Sequence, residues 1–183
     1  WICNKQWKKI TKERYIELNK KNDILSIDMI SKLKNTHIVR GSILSKYSKK
    51  EIEKKDKLDL DSLITLSLDY LDTPYLWGGR TPFGIDCSGF TQIIYKLKGI
   101  IIPRDANQQA NIGEKINTIK EAKKGDLAFF TNKKGNITHV GIITEKNKII
   151  HASGKVRIDY IDNKGIINNN EYTHYLAYIK RIV

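Results

Sequence analysis

The pattern of hydrophobic and polar positions divides the chain into two parts. In residues 1–57, short apolar clusters alternate with Lys, Asn and Ser, and Gly41-Ser42 marks a turn, which is typical of short strands. The lysine-rich stretch from Ser48 to Lys57 lacks a sustained apolar face and is interpreted as a linker. The sequence therefore predicts a small β-rich module with its linker in residues 1–57 and a second domain in residues 58–183.

The second part begins with helical periodicity and ends with strand patterns. Apolar residues recur at helical spacing between Leu60 and Leu71, and Thr73-Pro74 ends this helix. A second helix is predicted over 88–98 and a short one over 105–112. Strands are predicted over 127–131, 138–144, 148–152, 156–160 and 176–182. Helices that precede an antiparallel sheet predict an α+β fold, with a helix packed on one face of the sheet.

Composition excludes few classes of function. The chain has 183 residues, 40% of them hydrophobic, which is enough for a buried core. A net charge of +13 would suit a polyanionic partner, but the lysines are spread along the whole chain. No nucleic-acid partner is predicted, because the sequence has no basic helix, aromatic-interleaved stripe or zinc-finger spacing. No membrane span is predicted either, because no apolar run approaches the ~18 residues that such a helix needs.

Two features of the sequence bear on the cellular compartment. The chain starts at Trp1 without a charged-then-apolar leader, so we expect any export signal to lie outside it. The two cysteines, Cys3 and Cys87, are too few for a disulfide framework and are interpreted as thiols.

The candidate chemistry is concentrated in one cysteine and two histidines. Cys87 begins the second predicted helix, where unpaired N–H groups and the helix dipole favour the thiolate and can lower a cysteine pKa to roughly 3.5 to 7.5. His139 and His151 lie on two consecutive predicted strands. A thiol, an imidazole base and a polar group that orients the base are the parts of a thiol hydrolase. A metal site is not predicted, because CxxC and HxxxH spacings are absent from the sequence.

The turn between the two histidine-bearing strands decides whether the two imidazoles can meet. A strict two-residue turn at Lys146-Asn147 would pair residue 142 with residue 151 and direct the two rings to opposite faces of the sheet. A three-residue loop from Glu145 to Asn147, with Asn147 in the left-handed region and a bulge, would pair 141 with 151 and place both rings on one face. The catalytic hypothesis requires the three-residue loop.

Several motifs together resemble the NlpC-type cysteine peptidases, which are papain-like bacterial hydrolases of cell-wall peptides. The resemblance covers about residues 59–183, in the family's order and spacing. The matching segments are TPYLWGGRTPFGIDCSGF (73–90), IPRDANQQA (102–110), KKGDLAFF (123–130), THVGII (138–143) and IIHAS (149–153). The resemblance implies a papain-like domain in which Cys87 is the nucleophile, His139 the general base, and His151 the polar third residue that orients His139.

The resemblance also implies residues that bind substrate. Tyr75 would lie beside the developing oxyanion, next to the backbone N–H of Cys87, although it could simply pack in the groove wall. Asp86, Ser88 and Asp105 would line the substrate groove, where a carboxylate can hold an amino terminus and a hydroxyl can bind a carboxylate. Asp105 could equally be a helix cap. The two other histidines, at positions 37 and 174, do not match the family motifs and are expected to be structural.

The function implied by the resemblance is hydrolysis of the γ-D-glutamyl-diamino acid amide bond in peptidoglycan stem peptides or muropeptides, without a cofactor. We expect a monomer that acts in the cell envelope, periplasmic or secreted, with cytoplasmic recycling of peptides as the alternative. Residues 1–57 resemble the end of a bacterial SH3-like region, incomplete or degenerate. A wall-binding module with a silent site and a related amidase or acyltransferase are the alternative functions, and the order Cys, His, His favours the peptidase.

Overall fold

The N-terminal part of the chain contains two short antiparallel strand pairs. The computed structural model describes residues 11–13, 24–25, 30–33, 36–40, 42–44 and 60–182. Strand β1 (Ile24–Leu25) pairs with β4 (Ile43–Leu44), and β2 (Ile30–Leu33) pairs with β3 (Thr36–Val39). These pairs agree with the predicted β character of this part. The linker predicted over 48–57 lies outside the described residues, as does most of the SH3-like region.

The second part begins with helices, as predicted, but two of them are shorter than the sequence indicated. Within the second part the helices are α1 (Leu60–Leu68), α2 (Cys87–Leu97) and α3 (Ala106–Gln109), and a small hairpin of β5 (Arg80–Thr81) and β6 (Gly84–Ile85) lies between α1 and α2. None of them is long and apolar enough to cross a bilayer. The prediction that α3 extends to residue 112 is wrong, because the backbone N–H groups of Asn111 and Ile112 bond to carbonyls three residues back rather than four, and the chain then turns at Gly113, where φ is 78°.

Seven strands of the second part form one antiparallel sheet, in the order β12-β11-β10-β9-β8-β13-β7 among the described residues. Strand β12 also pairs with β13, so six strands close into a barrel-like ring and β7 extends it. The strands are β7 (Glu114–Ile116), β8 (Leu127–Thr131), β9 (Ile137–Glu145), β10 (Lys148–Ser153), β11 (Lys155–Ile161), β12 (Gly165–Asn168) and β13 (Glu171–Arg181).

The sheet is more extensive than the sequence predicted. Strands β7 and β12 were not predicted, and β13 begins at Glu171 rather than at Leu176. The turn between β12 and β13 uses Asn169 and Asn170, both with positive φ, and Asn is one of the residues that adopt this conformation most readily. The polar run of asparagines is therefore a hairpin turn.

Both faces of the sheet are buried, which explains the continuous apolar runs of the central strands. On β8, Leu127 and Phe129 belong to the core cluster shared with α1 and α2, while Ala128 and Phe130 belong to a second cluster on the opposite face. Strand side chains alternate between faces, so a strand buried on both sides must be apolar at every position. Helix α2 therefore packs on one face of the sheet, as predicted, and its N-terminus is held next to strand β9.

Candidate active site

Cys87 is the first residue of α2, and the residue before it caps the helix. Asp86 has an extended backbone, and its Oδ1 accepts the N–H of Gly89 at 2.7 Å. This capping bond fixes the first turn of the helix, where backbone N–H groups have no partner within the helix. Cys87 is a free thiol, 7% exposed, and lines a cavity of about 850 Å³. The sequence prediction of a cysteine at a helix N-terminus is confirmed.

The hairpin between β9 and β10 has the bulge that the catalytic hypothesis requires, although Glu145 pairs with Lys148 and leaves a two-residue turn rather than the predicted three-residue loop. Asn147 is in the left-handed region, with a φ of 58°. The register shifts by one residue between Lys148 and Ile149, after which Ile150 pairs with Ile142. Continuing this register places residue 151 opposite residue 141. The predicted pairing of 141 with 151 is therefore confirmed, and the alternative pairing of 142 with 151 is excluded.

The two histidines of this hairpin lie on one face and are hydrogen-bonded to each other. His139 Nε2 and His151 Nδ1 are 2.8 Å apart, and both residues are buried, with exposed fractions of 7% and 0%. Gly141 makes room for them, since a Cβ at this position would lie 2.8 Å from the Cβ of His151. The glycine of the THVG motif thus allows the His151 side chain to turn toward His139.

A carboxylate that the sequence analysis missed completes the surroundings of His151. Asp159 Oδ2 lies 2.9 Å from His151 Nε2, and Arg157 Nε donates to the same oxygen at 2.8 Å. Asn168 Nδ2 donates to the other oxygen, also at 2.8 Å. Burial opposes ionisation of Asp159, but the hydrogen bonds from His151 and Asn168 lower its pKa to about 2. Asp159 is therefore a carboxylate at neutral pH.

A third histidine, which the sequence analysis interpreted as structural, packs directly on His139. The ring of His174 stacks on that of His139 with a centroid distance of 4.3 Å and an angle of 30° between planes. Phe130 contacts both rings, at centroid distances of 5.7 Å and 5.9 Å. His174 lies on the part of β13 that was not predicted as a strand, so its approach to His139 could not be inferred from the motif. Together, His174 and Phe130 restrict the orientation of the His139 ring.

Burial determines the protonation states of this cluster. It lowers the pKa of His139 well below its usual value, and the neighbouring His151, His174 and Arg157 lower this pKa further. Burial also lowers the pKa of His151, against the opposing effect of Asp159. The pKa of His174 falls to about 4, with burial again the largest cause. All three imidazoles are therefore neutral at neutral pH.

The thiol does not follow the expectation from its helix position. Burial raises the pKa of Cys87, and the backbone N–H of Val140 opposes this increase, as do the N–H groups of Ser88 and Cys87 itself. The position of Cys87 at a helix N-terminus predicted a lowered pKa, and this prediction is wrong because it did not include the desolvation of the thiolate. The cost of burying a thiolate is larger than the benefit of these N–H groups. The resting site thus contains a thiol and neutral histidines.

The wall of the cavity contains an ion pair whose arginine the sequence analysis did not select. Arg104 donates to both carboxylate oxygens of Asp86, at 3.0 Å and 2.5 Å, and to Ser88 Oγ at 2.8 Å. The N–H of Gly78 donates to Asp86 Oδ2 at 2.8 Å. Asp86 and Ser88 thus lie at the cavity as predicted. Both oxygens of Asp86 are already engaged within the protein.

Two further residues of the predicted site also line the cavity. Tyr75 is partly buried, and burial raises its pKa, as does the nearby Cys87. Its hydroxyl therefore stays protonated at neutral pH and can donate a hydrogen bond. Asp105 is exposed and occupies the N-cap position of α3, where its backbone N–H donates to Gln108 Oε1 at 3.5 Å. Its two interpretations, helix cap and groove residue, are thus compatible.

Comparison with known families identifies the second part of the chain. Residues 72–175, more than half of the chain, match the NlpC/P60 family. The chain belongs to the NlpC/P60 family. All the site residues above lie within the matched range, including those that the sequence analysis did not select. In the described residues of this NlpC/P60 domain, no three or more His, Cys, Asp or Glu side chains are arranged to hold a metal ion.

Individual relatives of this NlpC/P60 chain include characterised and probable peptidases. A gamma-D-glutamyl-L-lysine dipeptidyl-peptidase from Bacillus subtilis is 43% identical over 94 residues, which are 50% of this chain and 31% of that protein. A probable endopeptidase NlpC homolog from Haemophilus influenzae is 42% identical over 106 residues, covering 56% of this chain and 55% of that protein. The chain therefore spans about a third to a half of these relatives' lengths.

A solved structure extends the similarity to the fold. The crystal structure of an NlpC/P60 family protein from Bacillus cereus is 35% identical to this chain, with a TM-score of 0.60. The superposition covers 69% of this chain and 41% of that one. The barrel-like sheet and the helices packed on it are therefore the fold of the NlpC/P60 domain.

Proposed function

We propose that the chain is a cysteine endopeptidase that hydrolyses the γ-D-glutamyl-diamino acid amide bond of peptidoglycan stem peptides. The observation that supports this most directly is the 2.8 Å hydrogen bond between His139 and His151, beside a strand whose Val140 N–H faces the thiol of Cys87. The name of the Bacillus subtilis relative, a gamma-D-glutamyl-L-lysine dipeptidyl-peptidase, supports the same bond type. Cys87, His139 and His151 are the proposed catalytic residues.

In the proposed mechanism, His139 takes the thiol proton of Cys87 while the sulfur attacks the amide carbon of the substrate. Because Nε2 of His139 is bonded to His151, its Nδ1 is the nitrogen that exchanges protons. The oxyanion would be stabilised by the Tyr75 hydroxyl and the Cys87 N–H. His139 then protonates the leaving amine, which leaves a thioester on Cys87. Water activated by His139 hydrolyses this thioester and regenerates the thiol.

The groove residues divide the task of substrate binding in this proposal. Both Asp86 oxygens accept hydrogen bonds from Arg104, Gly78 and Gly89, so this carboxylate is best suited to shaping the groove. The exposed Asp105 at the cavity is better suited to hold the amino terminus of a stem peptide. The Ser88 hydroxyl, oriented by Arg104, would bind the substrate carboxylate.

The substrate proposal is tested with defined muropeptides. The purified chain is incubated with a peptide that contains L-Ala-γ-D-Glu-L-Lys, and the products are identified by mass spectrometry. We expect one product that ends in D-Glu and one that begins with the diamino acid. The matched control is the same peptide with an α-linked L-Glu, which should remain intact. Cleavage at another bond, or equal cleavage of both peptides, would reject the proposed substrate.

The pH dependence of this activity follows from the lowered pKa of His139. A general base works in its unprotonated form, so a pKa below the usual value keeps His139 active at more acidic pH. We expect the acidic limb of kcat/KM to have its midpoint below about 6.5, the usual histidine value. Initial rates measured between about pH 4 and 9 test this, with thermal unfolding at each pH as the control. A midpoint at or above the usual value would contradict a buried neutral base.

The remaining assignments concern the N-terminal part and the location of the activity. We infer that residues 1–57 form a separate, SH3-like region, and its short strand pairs support this assignment. The buried Arg40 attaches this region to α1, where it donates to the carbonyl of Leu66 at 3.3 Å and to Asp69 at 2.8 Å. A monomer acting in the cell envelope fits a peptidoglycan substrate. Digestion of whole sacculi, compared with soluble muropeptides, distinguishes this location from cytoplasmic recycling.

A further inference from the structure

A continuous chain of hydrogen bonds connects strand β11 to the proposed base. Asp159 Oδ2 lies 2.9 Å from His151 Nε2, and His151 Nδ1 lies 2.8 Å from His139 Nε2. The side chains of Asp159 and His151 are 6% and 0% exposed, so water does not compete for these bonds. Both ring nitrogens of His151 are thus used inside the protein, and Nδ1 of His139 is the remaining nitrogen of the pair.

The Asp159 carboxylate, at one end of these hydrogen bonds, determines which ring nitrogen of each histidine carries the proton. An ionised carboxylate can only accept hydrogen bonds, so His151 must carry its proton on Nε2. A neutral His151 then presents a lone pair at Nδ1, and His139 must donate to it from Nε2. Neutral His139 is left with its lone pair at Nδ1. We propose that Asp159 is a positioning residue that fixes the tautomers of both histidines and so keeps Nδ1 of His139 available as the base; this rests on the proposed function.

The surroundings of Asp159 hold its carboxylate in one orientation. Arg157 Nε and Asn168 Nδ2 each donate to it at 2.8 Å, from β11 and from β12. On β11, Arg157 lies directly opposite His151, and Asp159 follows two residues later on the same face of the strand. Neither Arg157 nor Asp159 lines the cavity beside Cys87. Asp159 therefore acts on the reaction through His151 and not by contact with substrate.

Asp159 also balances a positive charge beside the histidines. Arg157 lowers the pKa of His139, His151 and His174, whereas Asp159 raises the pKa of His151 and of His174. Among the described residues, the other titratable group whose charge affects the pKa of His139 is His174 on β13. When His139 accepts the thiol proton, its new positive charge forms in a buried site. The Asp159 carboxylate is the negative charge that offsets it through His151.

The proposal predicts effects of opposite sign at two positions on one strand. Asp159→Asn removes the negative charge and leaves Arg157 uncompensated, so the acidic limb of kcat/KM should move to lower pH and kcat should fall about 10- to 100-fold. KM should change by less than about twofold, because Asp159 does not line the cavity. Arg157→Gln removes the positive charge and should move the limb to higher pH. A merely structural role for Asp159 would not produce these opposite shifts.

The tautomers themselves are measured by long-range ¹H–¹⁵N NMR of the histidine rings, which needs no substrate. We expect the Nε2–H form for both His139 and His151 in the wild-type chain, and a mixture of forms for His139 in Asp159→Asn. The matched control is Asp162→Asn, an aspartate near the end of the same strand that bonds to Tyr172 and to backbone N–H groups rather than to the histidines. It should keep the wild-type tautomers and pH profile.

These readouts separate failure of this inference from failure of the proposed function. An Nδ1–H form of His139 in the wild-type chain would overturn the role of Asp159, whatever the activity. Wild-type kcat and an unshifted pH limb in Asp159→Asn would overturn it as well, while leaving the peptidase proposal intact. If the chain cleaves no muropeptide, the proposed function fails, and the NMR experiment still decides the tautomers. If Asp159→Asn does not fold, Arg157→Gln provides the test, and an unshifted limb in that variant would reject the proposal.

Discussion

Replacement of Cys87 with alanine is expected to abolish cleavage of γ-D-glutamyl-diamino acid peptides, with a loss of at least about 10⁴-fold in kcat/KM. The substitution removes the sulfur that would form the thioester, and among the described residues that line the cavity no other side chain offers a thiol beside the Val140 N–H. The fold should remain, because the helix cap formed by Asp86 and Gly89 does not involve the thiol. Peptide cleavage followed by chromatography, together with thermal unfolding, measures both expectations.

The matched control for this variant is Cys3→Ala, which removes the other cysteine of the chain and should leave the rate unchanged. Mass spectrometry of acid-quenched protein adds a direct readout, since the acyl group should be found on the wild-type chain and on Cys3→Ala but not on Cys87→Ala. Loss of folding would appear as a lower unfolding temperature. Turnover by Cys87→Ala within about tenfold of wild type would mean that the reaction does not pass through a thioester on this residue.

The fold was predictable where local pattern and burial agree. Strands β8 to β11 and helix α2 lie close to their predicted positions, because each has a sustained apolar pattern bounded by turn residues. Strand β7 is short and becomes a strand through its pairing with β13, a contact between distant parts of the sequence. Strand β12 is also short, and it pairs with β11 and, in a local hairpin, with β13. The closure of the sheet into a ring depends on the pairing of β13 with the distant strand β8, so it could not be inferred from local pattern.

The site was predictable to the same extent. The meeting of His139 and His151 followed from the chemistry of one turn, in which Asn147 adopts the left-handed conformation. Predicting the position of Asp159 would have needed the register of the next hairpin. That hairpin turns at Gly154, where φ is 71°, and places Arg157 opposite His151. A three-residue turn at Ser153-Gly154-Lys155 was a usable signal for that register. The approach of His174 to the other two histidines depends on the closure of the sheet into a ring, and no local sequence signal indicates that closure.

The direction of the Cys87 pKa shows why a helix position alone does not determine reactivity. Helix dipole and N–H groups favour the thiolate, but burial disfavours any charge, and the neighbouring imidazoles are neutral because they are buried too. Cys87 and His139 therefore become charged in the same step, when the proton moves from the sulfur to His139. Such a site is expected to depend strongly on the orientation of His139, because the thiolate is not formed in advance.

Loss of the base should accordingly have the second-largest effect. His139→Ala is expected to lower kcat/KM by about 10²- to 10⁴-fold, the usual contribution of general acid–base catalysis. His151→Ala should lower it at least about tenfold less, because His151 orients the base without exchanging the substrate's proton. The two variants, assayed side by side with the same γ-D-glutamyl peptide, test this order. The reverse order would exchange the roles of the two histidines.

Added imidazole distinguishes the two roles further, because the two histidines differ in their access to the cavity. His139 is 7% exposed and directly follows Thr138, which lines the cavity although His139 itself does not, so we expect free imidazole to reach the space left in His139→Ala and restore part of the rate. His151 is fully buried against Asp159, and its removal should respond less to added imidazole. His37→Ala, a histidine on β3 outside the family match, is the matched control and should keep the wild-type rate. If added imidazole restored both variants equally, the proposed difference between His139 as base and His151 as orienting residue would be contradicted.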